Sequence, residues 1–244
     1  MGVRERRDRE REARREAILE AARALFVAEG YQRVSIRRIA GRVELSPAAL
    51  YGYFPSKDDL FYALAERGFS LFHRALNAGG LPDDPLERLR QRFWRYYQFS
   101  KSQPEYFALM FVDRTVPRIS RDWERLAFMR PMRTEAATLL RRLVDEGRLP
   151  ASTDPDAAFH VLATAIYGAA VIRLSDRFGP RAAADALARD MIELAITGLQ
   201  HGAPTTFRAG AGFHTAHAGP GSPRRHGRRA ARGRTLGDPA ATRA

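Results

Sequence analysis

The chain has 244 residues, 45% of them hydrophobic, which is enough for one large domain or for a small domain fused to a larger one. It contains no cysteine, and this excludes disulfides, thiol catalysis and cysteine metal sites. No stretch of about 18 uncharged apolar residues occurs, and the N-terminus is charged from Arg4 onward without an apolar signal core. We therefore expect no membrane span, no secretion and a cytoplasmic protein.

The formal charge of +13 at pH 7 is unevenly distributed. Residues 203–244 contribute eight arginines and one aspartate, a net +7, which leaves +6 for residues 1–202. Residues 31–57 carry five basic side chains against Glu44 alone. A polyanionic partner is expected, although this charge by itself would also suit anionic lipid.

Residues 4–16, RERRDREREARRE, alternate in sign, with Glu5/Arg9 and Glu10/Arg14 spaced four residues apart. Such pairs suit a solvent-exposed helix that is held by its own salt bridges. A frayed helical extension is the simpler interpretation of this charged arm. An arm that touches DNA phosphates is the alternative.

From residue 17 the pattern becomes amphipathic, and the glycine at position 30 predicts the end of that helix. One face carries Ile18, Ala22, Leu25 and Phe26. Three further helix starts are predicted at the cap residues Ser35, Ser46 and Ser56. Pro47 stands at a first helical position, where a missing N–H costs nothing, and Asp59 completes a capping-box-like pair with Ser56.

Beyond a break at residues 79–82 only helical patterns occur. We predict helices near residues 85–102, 104–113, 121–147, 155–176 and 180–200, with Pro131 kinking or splitting the third. No strand pattern of useful length is present. The predicted fold class is therefore all-α, with four short helices followed by a bundle.

Residues 203–244 are rich in Gly, Pro, Ala and Arg and hold few large apolar side chains. Such a segment cannot bury enough surface to offset its ordering entropy, so we predict a disordered basic tail. It is either an incidental solvated tail or a source of sequence-independent affinity for phosphates.

Residues 35–42 and 46–53 form two short predicted helices joined by a turn of about three or four residues, as in a helix-turn-helix. Their small core, with Leu25 and Phe26, is predicted to contain Ile36, Ile39, Ala40, Val43, Leu45, Leu50 and Phe54. The side chains left outward or at the edge are the candidate DNA-binding residues: Ser35, Arg37, Arg38, Ser46, Pro47, Ala48, Ala49, Tyr51, Gly52, Tyr53 and Lys57. A purely structural core with solvated charges would explain each residue alone, but not their joint spacing.

Each of these residue types suits a particular contact with DNA. Small side chains such as Ala48 and Ala49 let a helix approach base edges and touch a thymine methyl group. Tyr51 and Lys57 are suited to phosphate oxygens, as are Ser35, Tyr53 and the helix N-terminus at Ser56. Arg37 is the candidate for a bidentate contact with guanine.

The segment SIRRIAGRVELSPAALYGYFPSKDDLFYAL resembles the DNA-binding segment of the tetracycline-repressor-like (TetR/AcrR) family of bacterial regulators. The resemblance is carried by Ser35-Ile36, Ile39-Ala40, Ser46, Leu50-Tyr51, Phe54, Lys57 and Leu60. It implies a three-helix DNA-binding unit followed by a helical domain that binds a ligand and dimerises. We accordingly assign residues 1–60 to DNA binding, with 1–16 as the charged arm, and residues 61–202 to the regulatory domain.

Two positions depart from the family pattern. Glu44 and Ala48 stand where the family usually has glycine. If the turn requires a positive φ, Glu44 is expected to be strained there. It also places an acidic side chain near DNA.

Helix-turn-helix proteins commonly bind DNA as dimers, and the last two predicted helices suit a two-fold interface. The candidate interface residues are Ala165, Ala169, Ile172, Leu187, Met191, Leu194 and Leu199. The alternative is that these residues only close the core of the single chain.

The resemblance also implies an effector site within residues 85–174. Aromatic, Met and His side chains there suit a largely apolar pocket: Trp94, Tyr97, Phe107, Met110, Phe111, Trp123, Phe128, His160 and Tyr167. Positions of this kind at helical spacing are also typical of an ordinary core. A bound effector would shift the population toward an arrangement with lower DNA affinity.

The sequence predicts a dimeric transcriptional repressor on a palindromic operator, with no cofactor and no metal. No enzyme motif such as GxGxxG, HExxH or GxSxG is present, and the six histidines are scattered, so we expect no enzyme. The alternatives are an activator on the same fold or a protein that coats DNA without sequence preference, driven by the basic arm and tail.

Overall fold

The first helix begins long before its first buried residue. The computed structural model describes residues 2–117, 130–175 and 181–207, and in it α1 runs over Val3–Glu29. The predicted apolar face is buried, from Ile18 to Phe26, and Gly30 ends the helix with a φ of 82°. Residues 2–14 are exposed throughout. The charged arm is thus a continuous helical extension of the amphipathic segment.

Serine side chains fix the starts of the next three helices, as predicted. These helices are α2 over Ile36–Arg42, α3 over Pro47–Tyr51 and α4 over Lys57–Asn77. Each cap hydroxyl accepts a hydrogen bond from the backbone amide three residues ahead, at 3.2, 3.1 and 3.0 Å for Ser35, Ser46 and Ser56. The bonds satisfy amide groups that a helix start otherwise leaves without partners.

The small core under α2 and α3 forms as the periodicity predicts. Leu50 is the one buried residue of α3, at 0% exposure, and Phe54 follows it into the core at 4%. Val43 and Leu45 are only partly buried, because they lie in the turn and not within a helix. A helix of five residues has too few internal hydrogen bonds to persist alone, so this burial keeps α3 in place.

Glu44 has a φ of 56°, and among the described residues it is the only non-glycine with a positive φ. The conformation lets the amide of Leu45 reach back to the carbonyl of Ala40 at 2.9 Å, which closes the end of α2. The turn therefore does require the left-handed backbone that favours glycine.

The remaining helices lie close to the predicted ones. A 3₁₀ turn over Tyr31–Arg33 precedes α2, and the later elements are α5 over Pro85–Ser102, α6 over Pro104–Phe107 continued by a π-helix over Ala108–Val112, α7 over Arg130–Asp145, α8 over Pro155–Ser175 and α9 over Arg181–Gln200. No strand occurs among the described residues. Four short helices were predicted at the start, and this is wrong for α1 and α4, which have 27 and 21 residues.

Parts of the prediction fall outside the described ranges. The third predicted bundle helix is described only from Arg130, so the kink expected at Pro131 lies at the edge of the described chain. The predicted disordered tail is described only for residues 203–207, which follow α9 without helical structure. The proposed boundary at residue 60 stays a prediction.

The bundle is built around α5 and α8. α8 packs along α9 and against α5, and α5 packs along α4. Polar bonds support the α5–α9 contact: the Tyr97 hydroxyl donates to Asp185 at 2.7 Å, and Lys101 donates to the second oxygen of the same carboxylate. The hydrogen bond from Lys101 lowers the pKa of Asp185 more than burial raises it, and the bond from Tyr97 lowers it further. Asp185 therefore remains ionised and keeps both bonds.

Helix α4 crosses α6 and the π-helix at a glycine. A Cβ on Gly68 would stand 2.5 Å from the Met110 sulfur and 2.9 Å from a ring carbon of Tyr106. The close approach leaves no room for a larger residue, so the packing of α4 against the π-helix depends on this position.

We expect Glu44→Gly to stabilise the protein, because glycine adopts this φ without the cost that other residues incur, about 1 kcal/mol. Urea unfolding followed by circular dichroism measures the change. Glu44→Ala is the matched control, since it removes the same carboxylate and keeps the strained backbone. The explanation fails if the alanine variant gains as much stability as the glycine variant.

Gly68→Ala should destabilise the protein by about 1–3 kcal/mol, because the added methyl group overpacks the contact with Met110 and Tyr106. Gly41→Ala, on α2, is the control: nothing lies within 4 Å of its added Cβ, so better helix propensity should stabilise it by up to about 1 kcal/mol. Thermal unfolding of both variants gives the comparison. Equal shifts of Tm in the same direction would contradict the steric account.

Candidate nucleic-acid interface

The candidate DNA-binding residues form one exposed surface around α3. Tyr51 is the most exposed large side chain of that helix, at 51%. The exposed members of the set are Ser35, Arg37, Arg38, Ser46, Pro47, Ala48, Ala49, Tyr51 and Gly52, whereas Tyr53 and Lys57 are partly buried. The capped starts of α2 and α3 therefore open onto solvent, with small side chains on the first turn of α3.

The two arginines of α2 differ in their surroundings. Arg38 forms an ion pair with Glu29 at 2.9 Å, which ties the end of α1 to the start of α2. Arg37 is exposed and forms no ion pair with any residue in the described ranges. Arg37 thus keeps its guanidinium available for an external acceptor.

Lys57 is held by the turn before α2. Its ammonium donates to the carbonyls of Tyr31 and Val34 at 3.0 and 3.1 Å and lies 4.1 Å from the centre of the Tyr31 ring. The Tyr31 hydroxyl in turn donates to Asp58, and burial together with this bond raises the pKa of Tyr31. These contacts fix the start of α4 against the helix-turn-helix, and they occupy two of the three ammonium donors of Lys57.

Two residues of the interface were not predicted from the sequence. The Arg11 guanidinium donates to the carbonyl of Gly52 at 3.3 Å and lies 5.3 Å from the centre of the Tyr53 ring. The Arg15 guanidinium lies 5.3 Å from the centre of the Phe54 ring. Both arginines join the charged arm to the end of α3. The sequence did contain a signal for these two residues, because at helical spacing they continue the buried side of α1 toward its N-terminus.

Contacts also link the first helices to α6 and the segment after the π-helix. Arg23 of α1 pairs with Glu105, and its guanidinium lies 5.4 Å from the centre of the Tyr106 ring. The Gln32 amide donates to the carbonyl of Thr115 at 2.7 Å. α6 and the segment after the π-helix are therefore in direct contact with α1 and with the 3₁₀ turn before α2.

The structure brings together only some of the predicted effector residues. Phe107, Phe111 and Tyr167 form one aromatic cluster, with ring centres 5.0 Å apart for Phe107 and Phe111 and 6.4 Å apart for Phe107 and Tyr167. The Tyr167 hydroxyl donates to the carbonyl of Phe111 at 3.0 Å, within the π-helix. Met110 lies beside this cluster, at the crossing with α4.

Tyr96 belongs to the same aromatic cluster and was missed by the sequence reasoning. Its ring centre is 4.9 Å from that of Phe72 and 5.7 Å from that of Phe111. Burial raises its pKa, so the phenol stays protonated. Tyr96 is adjacent in sequence to the predicted Tyr97, but successive residues of a helix point in different directions, and Tyr97 is directed toward α9.

Other predicted effector residues lie elsewhere. Trp94 and Tyr97 are stacked on the α9 side of α5, with the Arg189 guanidinium 3.8 Å from the centre of the Trp94 ring. His160 contacts the Asp156 carbonyl at 2.7 Å and the ring of Phe207 at 5.1 Å between centres. Trp123 and Phe128 lie outside the described residues. No group of three metal-ligating side chains occurs within the described ranges.

The candidate dimer residues divide by exposure. Leu187 and Leu194 of α9 are exposed, at 38% and 68%, with Met191 partly buried between them. Ala165 and Ile172 of α8 are also partly buried. Ala169 and Leu199 are buried in the core of the single chain, and the assignment of the set to a two-fold interface stays a prediction.

α8 is long and apolar enough to cross a membrane by length and composition alone, and 33% of its most apolar stretch is buried. One such helix is weak evidence for a membrane span, since helices of soluble cores pass the same test.

Similar proteins were found by sequence. The family described as bacterial regulatory proteins of the tetR family matches residues 18–64, which contain α2 and α3. The chain is 35% identical over 146 residues to the nucleoid occlusion factor SlmA of Vibrio campbellii, which covers 55% of this chain and 71% of that protein. It is 42% identical over 53 residues to the HTH-type transcriptional repressor Rv1474c of Mycobacterium tuberculosis, or 22% of this chain and 28% of that protein. For several such relatives the match spans less than half of their length.

Solved structures extend the similarity of fold to about three quarters of the chain. A tetR family transcription regulator from Shewanella sp. PV-4 superimposes with a TM-score of 0.60 at 22% identity, covering 76% of this chain and 97% of that one. PfmR from Thermus thermophilus, a TetR family transcriptional regulator, gives a TM-score of 0.56 at 25% identity over 75% and 95% of the two chains. With its capped helix-turn-helix and its helical second part, this chain belongs to the TetR family of bacterial transcriptional regulators.

Proposed function

We propose that the protein is a dimeric, sequence-specific repressor that binds a palindromic operator in the cytoplasm and is released by a small, largely apolar effector. The observation that carries the DNA-binding part is the exposed surface of α3, where small side chains follow a capped helix start. An exposed helix with Ala48 and Ala49 at its centre fits closely against base edges in the major groove. Tyr51 and the cap residue Ser46 flank it and suit phosphate oxygens.

Arg37 is the side chain we assign to base recognition. It lies in the first turn of α2, is exposed, and forms no ion pair in the described chain, whereas the adjacent Arg38 is paired with Glu29. A guanidinium with all its donors available can bond both acceptors of a guanine edge. Arg38 is better suited to positioning, because its pair with Glu29 fixes its direction.

We assign effector binding to the aromatic cluster around the π-helix. Phe107, Phe111, Tyr96 and Tyr167 provide an apolar lining, and two phenol groups supply polar anchors. The hydroxyl of Tyr167 already bonds the Phe111 carbonyl, so a ligand that competes for it would disturb the π-helix. The contacts of Arg23 with Glu105 and of Gln32 with Thr115 would carry such a shift to α1 and the 3₁₀ turn.

For dimerisation we assign the exposed side of α8 and α9. Leu187, Met191 and Leu194 recur at i, i+4 and i+7 and form an apolar stripe on α9. Beside it, α8 has an apolar surface that the single chain buries only in part. A two-fold contact between such surfaces would make a four-helix interface.

Two other functions compete with this proposal. A role in nucleoid occlusion is favoured by the 35% identity to SlmA over 146 residues. Deletion of the gene would then give division septa across nucleoids, visible by microscopy. A protein that coats DNA without sequence preference is favoured by the net charge of +7 on residues 203–244.

Selection of DNA from a random pool tests the proposal against these alternatives. The full chain and a chain shortened to residues 1–207, which keeps the contact of His160 with Phe207, are both used. A palindromic motif shared by the two proteins supports the proposed function and makes the tail accessory. The proposal is overturned if no motif is enriched and binding vanishes in the shortened chain. An activator on the same fold would select a motif and raise transcription from it.

Arg37→Gln should weaken binding to the selected motif by about 1–3 kcal/mol and relax the preference at one base position of each half-site. Arg141→Gln, exposed on α7, removes the same charge from a helix that carries none of the candidate DNA-binding residues and is the matched control. Fluorescence anisotropy on the motif and on its single-base variants measures both effects. Equal losses for the two variants would show that Arg37 contributes charge only.

Leu194→Glu should dissociate the dimer, because it would bury an unpaired carboxylate in an apolar interface. Analytical ultracentrifugation measures the mass, and Thr138→Glu, on α7, is the control that adds the same charge on a helix outside the assigned interface. A Leu194→Glu protein that remains dimeric would place the interface on another surface.

A further inference from the structure

The charged arm at the start of α1 is exposed to solvent. Residues 3–14 are all exposed and precede Arg15, the first partly buried residue of the helix. At a rise of about 1.5 Å per residue this exposed part is about 18 Å long. Most residues of the arm are charged, and its helix is continuous with the rest of α1.

The basic side chains of the arm are concentrated on one side. With about 3.6 residues per turn, Arg4, Arg7, Arg11 and Arg14 fall within an arc of about 80°. We call these four residues the basic ridge. The arc is in line with Ile18, Ala22 and Leu25 on the buried face of α1, so the ridge continues part of that face toward the N-terminus.

The acidic side chains of the arm do not neutralise the ridge. Glu5 and Glu12 lie on the other side of the helix, about 120–140° from the middle of the ridge. Asp8 and Glu10 flank it, and Glu10 is paired with Arg6, 3.6 Å away. Within the described ranges, the side chains of Arg4, Arg7 and Arg14 form no ion pair or hydrogen bond.

Contacts at Arg11 fix the direction in which the ridge points. Its guanidinium bonds the carbonyl of Gly52, which is the C-cap of α3, and stacks near Tyr53. Arg15, one turn closer to the core, stacks near Phe54. The ridge is therefore joined to the end of the helix that carries the proposed DNA surface, and Arg4 and Arg7 extend beyond that end.

We propose that Arg4, Arg7 and Arg14 bind phosphates of the DNA that flanks the half-site contacted by α3. This inference rests on the proposed function and adds a second, sequence-independent contact surface to it. Guanidinium groups without internal partners bond phosphate oxygens strongly, often through two donors. The contact extends each footprint along the backbone beyond the bases that α3 reaches. It also assigns to the arm a role distinct from that of Arg11, which holds the arm against α3.

The test compares two double variants of the full chain. Arg4→Gln with Arg7→Gln removes two charges from the ridge, and Arg6→Gln with Arg9→Gln removes two charges from the other side of the same segment. The four positions are exposed, so both proteins should keep the fold, as far-UV circular dichroism will verify. Binding is measured over a range of salt concentrations on the selected motif, once with flanks of about one helical turn and once trimmed to the motif.

On the flanked duplex, the ridge variant should lose affinity, and the slope of log K against log salt should become shallower by about 0.9 for each lost phosphate contact. The control variant should change little, and the trimmed duplex should remove the difference between the two. Equal losses for both variants, or a ridge effect that persists on the trimmed duplex, would overturn the inference alone. Failure of the unmodified protein to select any motif would overturn the proposed function, and the inference with it.

Discussion

The length of α3 is the constraint on which the DNA-binding end of the molecule depends. A helix of five residues contributes almost no stability of its own, so every feature that orients it comes from outside. Leu50 anchors it from below, the Ser46 hydroxyl closes its start and Arg11 bonds the carbonyl of its C-cap. Because so few side chains are used to hold the helix, nearly all of its remaining surface is exposed. The exposed surface is large for the size of the helix because neighbouring elements hold the helix in place.

Much of the architecture could be predicted from local signals. The cap serines at positions 35, 46 and 56 and the glycine at position 30 mark helix ends through bonds that span only a few residues. Such bonds leave a fixed spacing in the sequence. The family usually has glycine in this turn, and this predicted the left-handed backbone at position 44. This chain has Glu44 there, although the geometry favours glycine.

Contacts between distant segments left no such spacing. Arg11 and Gly52 are 41 residues apart, and Gln32 and Thr115 are 83 residues apart. The effector candidates could not be placed from sequence for the same reason. Periodicity predicts which faces of α5 are apolar, but it does not predict which of them packs against α9 and which against the π-helix. Trp94 and Tyr97 consequently lie apart from Phe107 and Phe111, and Tyr96 takes their expected place.

The π-helix over Ala108–Val112 has a consequence for how related proteins can diverge. A π-helical turn holds about one residue more than an α-helical turn, so it corresponds to a single inserted residue in an otherwise regular helix. Loss of one residue from this stretch would restore α-helical geometry and shorten the path from Phe107 to Phe111 by one residue, while the helix on either side keeps its phase, because the π-helical turn already accommodates the extra residue. The spacing of the two rings along the helix would then change without any change in the composition of the cluster. Insertions and deletions of one residue, and not only substitutions, can thus change the spacing of the aromatic cluster in this fold.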